Sequence, residues 1–301
     1  MSFSAVIGQD RPINILKAYI KNSSLEGGYL FTGAAGIGKK MTALALAEEL
    51  VGRARHPDVH LISDDEPQIK IDVIRRLQKE ISLKAYEGEY KVFIIDNAHT
   101  LTAEASNALL KILEEPPKKT LIILITDKPN LIFKTVASRC KALKFAPLAR
   151  SALEEVLRKQ YGLDAALAHF LAYYSDGSIG LALRLKEENV IGKRNNAIDK
   201  IALAAGPGTE GLVPLNRLEA RGALNLLATW FRDIYLLKIG SAEGEVINGD
   251  RKQDLARAAG RFSFVDLDKA LGSVTAAITC LDKNVNLRLL MLNLRLELWK
   301  D

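Results

Sequence analysis

A glycine-rich run constrains the fold more than any other part of this 301-residue sequence: Gly33-Ala34-Ala35-Gly36-Ile37-Gly38-Lys39-Lys40. It follows a short apolar segment, residues 29–31, and leads into residues 39–51, where apolar side chains recur at helical spacing. A glycine-rich turn between a strand and a helix lets backbone amides surround phosphate oxygens at the positive end of the helix. We therefore predict a phosphate-binding loop (P-loop), in which Gly33, Gly36, Gly38 and Lys39 contact phosphate.

Short apolar segments alternate with helical segments through the first half of the chain. The predicted strands are residues 29–31, 59–62, 91–95, 120–126 and 142–145, and the predicted helices are 39–51, 69–83 and 103–115. Thr102 is suited to cap the last of these helices, and Pro116-Pro117 stops it because proline lacks the amide hydrogen. This alternation predicts an α/β fold with a parallel sheet, whose ligands bind beyond the carboxyl ends of the strands.

The alternation ceases at residue 148, and the rest of the chain has helical spacing. Predicted helices are residues 151–161, 164–174, 178–188, 215–239, 251–260 and 264–299, the last with a break near Asp282. Residues 204–214 contain three glycines and two prolines and form the best linker candidate. We predict three domains: a P-loop core at 1–147, a small helical lid at 148–205 and a C-terminal all-α domain at 206–301.

Composition narrows the class of protein. Hydrophobic residues make up 48% and charged residues 26%, which is typical of a soluble globular protein, and no apolar run approaches the roughly 20 residues that span a bilayer. Two cysteines, Cys140 and Cys280, exclude a cysteine-built zinc site and suit a reducing cytoplasm. The net charge of +6 favours an acidic partner such as nucleic acid. Pro57 lies between His56 and His60, so we expect a surface turn leading into a strand there rather than a metal site.

The residue after the P-loop lysine argues against hydrolysis. Magnesium-dependent P-loops carry a Ser or Thr there, whose hydroxyl ligates the metal, whereas this chain has Lys40. A like charge about 4 Å from the metal opposes binding by several kcal/mol at an effective dielectric of about 20, unless the side chain turns into solvent. The loop can therefore bind phosphate without hydrolysis, or it can be a glycine-rich turn that binds nothing.

Two further polar residues end predicted strands near the expected site. Asp96 follows the strand at 91–95, where a carboxylate holds the water shell of a metal, but it can equally be a capping residue. The next residue, Asn97, is an amide and cannot act as a general base. Thr126 ends the strand at 120–126, either as a sensor of the outer phosphate or as an ordinary strand-terminal threonine.

These elements, in this order and spacing, resemble the clamp-loader subunits of bacterial DNA polymerase III, which are AAA+ proteins. The resemblance covers nearly all of the first half and is most specific in the proline-ended helix. Its motifs are Val6-Ile7-Gly8-Gln9, His56-Pro57-Asp58, Leu109-Leu110-Lys111-Ile112-Leu113-Glu114-Glu115-Pro116-Pro117 and Ser138-Arg139-Cys140, with Trp230-Phe231-Arg232-Asp233 and Asn284-Val285-Asn286-Leu287 in the collar.

Departures from the motor subunits of that family indicate the subtype. The resemblance implies that Lys40, Asn97 and Gly180, the last in the place of a nucleotide-sensing arginine, mark a subunit of the delta-prime type that does not hydrolyse ATP. It implies that Arg139 is an arginine finger completing a neighbour's ATP site, although a lone arginine is usually a solvated surface residue. The family commonly carries four cysteines between the P-loop helix and His56, and this chain has none there.

The resemblance also implies partners and a role. The expected function is that of a scaffold beside the motor and delta subunits, in an assembly that loads the sliding clamp on primer-template DNA. We expect this assembly to be cytoplasmic and to have no membrane partner. Any polymerase activity would belong to the holoenzyme, and the cofactor expectation is ATP or ADP at a degenerate P-loop, without zinc. The alternatives are an active P-loop ATPase, either a clamp-loader motor or a related AAA+ DNA-replication ATPase, a polymerase in its own right and a general DNA-binding protein.

Overall fold

The computed structural model describes residues 2–22, 24–53, 56–63, 67–83, 86–203, 216–241, 243–283 and 285–298. The chain divides into two compact units, the first comprising Met1–Ala149 and Asp176–Leu181, the second Arg150–Ser175 and Ala182–Asp301. The predicted linker at 204–214 and the boundary beside it lie outside the described residues, so the division into lid and collar stays a prediction. Within the described ranges, no helix is both long and apolar enough to cross a membrane.

Five parallel strands form the sheet of the first unit, in the order β2-β3-β4-β1-β5. They are β1 (Gly27–Thr32), β2 (Val59–Ile62), β3 (Lys91–Ile95), β4 (Thr120–Thr126) and β5 (Cys140–Lys144). Successive side chains point to opposite faces, so Tyr29 and Phe31 enter one hydrophobic cluster and Leu30 the other. Burial on both faces explains why the central strands β3 and β4 are nearly continuous apolar runs rather than alternating ones, whereas β2 and β5 are partly exposed. The predicted parallel α/β sheet is confirmed.

Helices cover both faces of this sheet. They are α1 (Asp10–Lys21), α2 (Lys39–Val51), α3 (Ile71–Ser82), α4 (Ala103–Glu114) and α5 (Lys134–Ala137). The α1 and α2 helices bury Leu16 and Leu46 on one face, and α3 and α4 bury Ile74 and Leu109 on the other. The Thr102 hydroxyl accepts a hydrogen bond from the Ala105 amide at 3.2 Å, which confirms the predicted cap.

The second unit is helical, and its described residues from Ala197 onward pack around one apolar core. Its helices are α6 (Arg150–Lys159), α7 (Ala165–Tyr174), α8 (Ile179–Glu187), α9 (Val190–Ala197), α10 (Arg217–Lys238), α11 (Lys252–Arg261), α12 (Phe264–Cys280) and α13 (Leu287–Leu298), and the first turn of α8 belongs to the first unit. Trp230 and Phe231 of α10 are fully buried in the core. The predicted break near Asp282 is confirmed by the gap between α12 and α13.

The expected turn leading into a strand is present, with an exposed Pro57 before β2, but the residues on either side of Pro57 are buried rather than at the surface. His56 and Asp58 are 5% and 2% exposed, and the His56 Nδ1 atom accepts the Asp58 amide at 3.1 Å. The Asp58 carboxylate accepts the amides of Tyr86, Glu87 and Gly88 at 2.7, 3.0 and 2.8 Å. The hydrogen bonds explain the burial, because a carboxylate can leave water only when donors surround it. This network ties the turn before β2 to the loop before β3.

We expect Asp58→Asn to destabilise the chain by about 3 kcal/mol at neutral pH, because hydrogen bonds to a buried charge are among the stronger ones. Burial acts to raise the pKa of Asp58, but the three backbone donors and His56 outweigh it and lower this pKa below its ordinary value. A depressed carboxylate pKa stabilises the fold above the unfolded-state pKa of about 4, and the contribution is lost as the pH falls through the folded-state pKa. Urea unfolding of both proteins at pH 7 and pH 3 should show the difference shrinking in acid; a pH-independent difference would contradict the prediction.

Candidate functional site

The predicted P-loop lies between β1 and α2, beyond the carboxyl end of the central part of the sheet. Gly33, Gly36 and Gly38 have φ values of 143°, 75° and 101°, in the region that favours glycine. The side chain of Gln9 is 2% exposed and its Nε2 atom donates to the carbonyls of Ile37 at 3.0 Å and Ala146 at 2.8 Å. Gln9 therefore fixes the far end of the loop against the segment that follows β5.

The P-loop lysine is directed into its own loop. The Lys39 Nζ atom donates to the carbonyl oxygens of Gly33 and Ala34, each at 2.5 Å, and the residue is only 6% exposed. Burial lowers the pKa of Lys39, and the carboxylates of Asp127 and Asp96 oppose this effect. The Lys39 ammonium thus donates hydrogen bonds to two carbonyls of its own loop. A bound phosphate could not replace it there, because phosphate oxygens and carbonyl oxygens are both acceptors.

Lys40 occupies the position next to the carboxylate that would hold a metal. Its Nζ atom lies 3.1 Å from Asp96 Oδ2, with the two side chains 41% and 19% exposed. The sequence offered two states for this side chain, beside a metal or out in solvent, and the structure shows a third, an ion pair with Asp96. An ammonium group at this distance places one positive charge where a divalent cation would place two. A magnesium ion does not fit this arrangement, because it would compete with Lys40 for the same oxygen and meet a like charge.

The neighbouring polar residues are bonded within the chain. Thr126 Oγ1 accepts the Lys128 amide at 2.9 Å and lies 3.2 Å from His99 Nδ1. His99 in turn lies 3.5 Å from Asp127 Oδ1. Asn97 is exposed and has a φ of 50°. Its backbone N–H donates to Oδ1 of the neighbouring Asp96 at 3.0 Å. The structure therefore brings Lys39 and Lys40, at the start of α2, to the end of the sheet where Asp96 and Thr126 follow or end their strands.

The segment Asp176–Leu181 packs directly on the P-loop within the same unit. The Gly180 amide donates to the Gly36 carbonyl at 2.9 Å, and Ser178 Oγ donates to the Ala35 carbonyl at 2.8 Å. A Cβ atom at position 180 would lie 2.8 Å from the Gly36 oxygen, and one at position 36 would lie 2.6 Å from Ser178 Oγ. Two backbones thus approach too closely for side chains, and an arginine at position 180 would require the segment to move away.

Arg139 lies at the opposite end of the sheet from this loop. It precedes β5, an edge strand that runs parallel to β1 with Gly28 opposite Cys140 and Thr32 opposite Lys144. The P-loop follows Thr32, so about five residues of extended chain, roughly 16 Å, separate the two along the strand direction. The guanidinium is an ion-pair partner of Glu114 rather than a freely solvated charge, with Nη2 at 2.6 Å from Oε1.

Sequence reasoning missed four residues of this arrangement: Gln9, His99, Asp127 and Ser178. Gln9 belongs to a quoted motif, but its contact with Ile37 depends on the fold rather than on spacing. His99 and Asp127 follow the ends of β3 and β4, so the rule that identified Asp96 and Thr126 could have found them. Ser178 lies within the predicted lid at 148–205, and its contact with the P-loop had no sequence signal.

Comparisons with known proteins agree with this geometry. A family model described as DNA polymerase III, delta subunit matches residues 50–149, and one described as DNA polymerase III, delta subunit, C terminal matches residues 189–299. The chain is 30% identical to DNA polymerase III subunit delta' of Bacillus subtilis, over 96% of this chain and 96% of that protein. The chain belongs to the delta' family of DNA polymerase III subunits. The resemblance drawn from the motifs is thereby confirmed, and the chain is a clamp-loader subunit of the delta' type.

Two further proteins are similar to this chain, one in sequence and one in structure. The chain is 28% identical to DNA polymerase III subunit tau of Escherichia coli over 69% of this chain, which spans 36% of the tau subunit. A crystal structure of a DNA polymerase III gamma subunit-related protein from Thermotoga maritima has a TM-score of 0.55 and 19% identity, covering 95% of this chain and 98% of that one. This last likeness concerns the fold alone.

Proposed function

We propose that this chain is a non-hydrolysing subunit of the clamp loader, which assembles with the motor and delta subunits and helps to place the sliding clamp on primer-template DNA. The observation that carries the proposal is the ion pair between Lys40 and Asp96. Polymerase activity belongs to the holoenzyme, not to this chain, and the assembly works in the cytoplasm.

Three features of the site support the absence of hydrolysis. Lys40 neutralises the carboxylate that would coordinate the metal's water shell, Asn97 lacks the proton affinity of a general base, and the Gly180 amide bonds to the loop carbonyl of Gly36. Each removes a different requirement of phosphoryl transfer: the metal, activation of water, and an arginine that senses the nucleotide. Restoring one of them would leave the other two unmet.

Nucleotide binding is a separate matter from hydrolysis. The glycine conformations of the P-loop and the N-terminus of α2 behind it are retained, and these are the groups that bind phosphate oxygens. We propose that ATP or ADP binds here without magnesium, with the charge of Lys40 in place of the metal's. Binding would have to draw Lys39 away from the carbonyls of Gly33 and Ala34, which lowers the affinity.

We expect the isolated chain to hydrolyse ATP no faster than the same preparation of Lys39→Ala, because the P-loop lysine serves no reaction here. The measurement is phosphate release with and without magnesium, together with calorimetric titration of ADP under both conditions. The affinity of the wild-type chain for ADP should be the same with and without magnesium.

A Lys40→Ser variant provides the matched comparison, since it frees Asp96 and supplies the missing hydroxyl. Its ADP affinity should become sensitive to magnesium, while its ATPase rate stays at background because Asn97 and Gly180 remain. Turnover at the rate of an ordinary ATPase in the wild-type chain, abolished by Lys39→Ala, would contradict the proposal and make the chain a motor subunit.

The second part of the proposal concerns Arg139, which we assign as an arginine finger in trans. Its place before an edge strand, at the end of the sheet away from its own P-loop, supports a target on another subunit. A planar guanidinium stabilises the charge that develops on a transferring phosphoryl group. In this arrangement, the chain contributes to catalysis at a neighbour's site while its own site is inactive.

A further inference from the structure

A glutamate at the end of α4 holds the guanidinium of Arg139. The Arg139 Nε atom donates to Glu114 Oε1 at 2.8 Å, and Nη2 lies 2.6 Å from the same oxygen. On the other side, Nη1 donates to the backbone carbonyl of Thr135 at 3.0 Å. Contacts from two directions fix both the position and the plane of the guanidinium, which a single contact would leave free to rotate.

The contacts with Glu114 and Thr135 leave some of the donors of the guanidinium unused. Arginine has five N–H donors. Within the described part of the chain, the contacts with Glu114 and Thr135 engage three of them, so two on the Nη atoms remain for another acceptor. Two N–H groups in one plane match the spacing of phosphate oxygens.

The backbone on both sides of this ion pair is well anchored. Glu114 follows Leu113, which is 5% exposed, and Pro116-Pro117 ends the helix directly after it. The Arg139 amide donates to the Val136 carbonyl at 3.1 Å, and Val136 is 1% exposed. The two side chains therefore extend from fixed points, although they themselves are 49% and 36% exposed.

We propose that Glu114 is a positioning residue for Arg139: its carboxylate orients the guanidinium so that the remaining N–H groups face a phosphate on a neighbouring subunit. The proposal rests on the finger role assigned above. As a surface ion pair alone, this contact would contribute only about 0–1 kcal/mol to stability. Orientation has a larger effect on rate, since a misplacement of about 1 Å at a reacting centre can cost about 100-fold.

The test is Glu114→Gln in a loader reassembled from this chain with the motor and delta subunits of its own cell. We expect the clamp- and DNA-stimulated kcat for ATP at the served site to fall by up to about 100-fold, with KM for ATP unchanged. Glu115→Gln is the matched control, because it removes the same charge one residue further on and lies outside the ion pair. Its kcat should equal that of the wild type.

Whether kcat falls or rises in the Glu114→Gln loader distinguishes an effect of guanidinium orientation from a simple effect of charge. Removing a carboxylate near a phosphate should, through Coulomb repulsion alone, raise the rate. A Glu114→Gln rate that is unchanged or raised, or a loss equal to that of Glu115→Gln, would overturn the proposal.

The double variant Glu114→Gln/Arg139→Ala separates this inference from the finger role. If Glu114 acts through Arg139, the double variant should be no slower than Arg139→Ala alone. A further loss in the double variant would overturn the positioning role. If Arg139→Ala itself has no effect, the finger assignment fails, and the positioning proposal fails with it. If Arg139→Ala slows the loader and Glu114→Gln does not, only the positioning proposal fails.

Discussion

Replacing Arg139 with alanine is expected to slow the ATPase of a reassembled clamp loader far more than it alters the folding of this chain. Arginine fingers contribute on the order of a thousandfold or more at the site they serve. The pooled rate should fall less than that, since other motor sites retain their own fingers. Folding should change little, because the substitution removes one partly exposed ion pair with Glu114, worth about 1 kcal/mol at most.

Arg139→Lys should be nearly as slow as the alanine variant, since an ammonium cannot reproduce the planar fork of a guanidinium. The measurements are stimulated ATPase and clamp loading, after equal assembly has been established. Arg53→Ala is a suitable control because Arg53 also forms an exposed ion pair in the first unit, with Glu87. Wild-type rates for Arg139→Ala in both assays would return Arg139 to a surface charge and remove the finger.

The backbone features of this site followed from local sequence. The strands at Val59–Ile62, Lys91–Ile95 and Thr120–Thr126 have the predicted bounds. In the last two, burial on both faces of the sheet requires nearly uninterrupted apolar residues. The loop between β1 and α2 could also be predicted from the sequence, since the positive φ angles at Gly36 and Gly38 require glycine. Such features depend on neighbours within a few residues, which a single sequence displays.

Contacts between distant segments could not be predicted in the same way. Lys40 and Asp96 are 56 positions apart, and nothing in their spacing distinguishes an ion pair from two solvated charges. The contact of Gly180 with Gly36 depends on the return of residues 176–181 to the first unit. Helix α1 was not among the predicted helices; Pro12 lies in its first turn, where proline is tolerated.

The buried carboxylate in the Trp230-Phe231-Arg232-Asp233 motif organises a loop of the second unit. Asp233 is fully buried, with Oδ1 accepting the Ile247 amide at 3.1 Å and Oδ2 accepting the Asn248 amide and Nδ2, each at 2.7 Å. The two residues before Arg232 are apolar and belong to the core. One turn of α10 therefore supplies both the apolar anchor and the acceptor for the loop before α11.

We expect Asp233→Ala to destabilise the second unit by at least about 3 kcal/mol, because three buried donors lose their acceptor and each unpaired donor costs about 1–3 kcal/mol. Urea unfolding followed by tryptophan fluorescence measures this loss, since Trp230 is buried one turn away on the same helix. Asp282→Ala removes a carboxylate from an exposed ion pair with Arg221 and should cost less than about 1 kcal/mol. Equal midpoints for the two variants would mean that water or a rearranged loop replaces the carboxylate, and that Asp233 does not hold residues 247–248 in place.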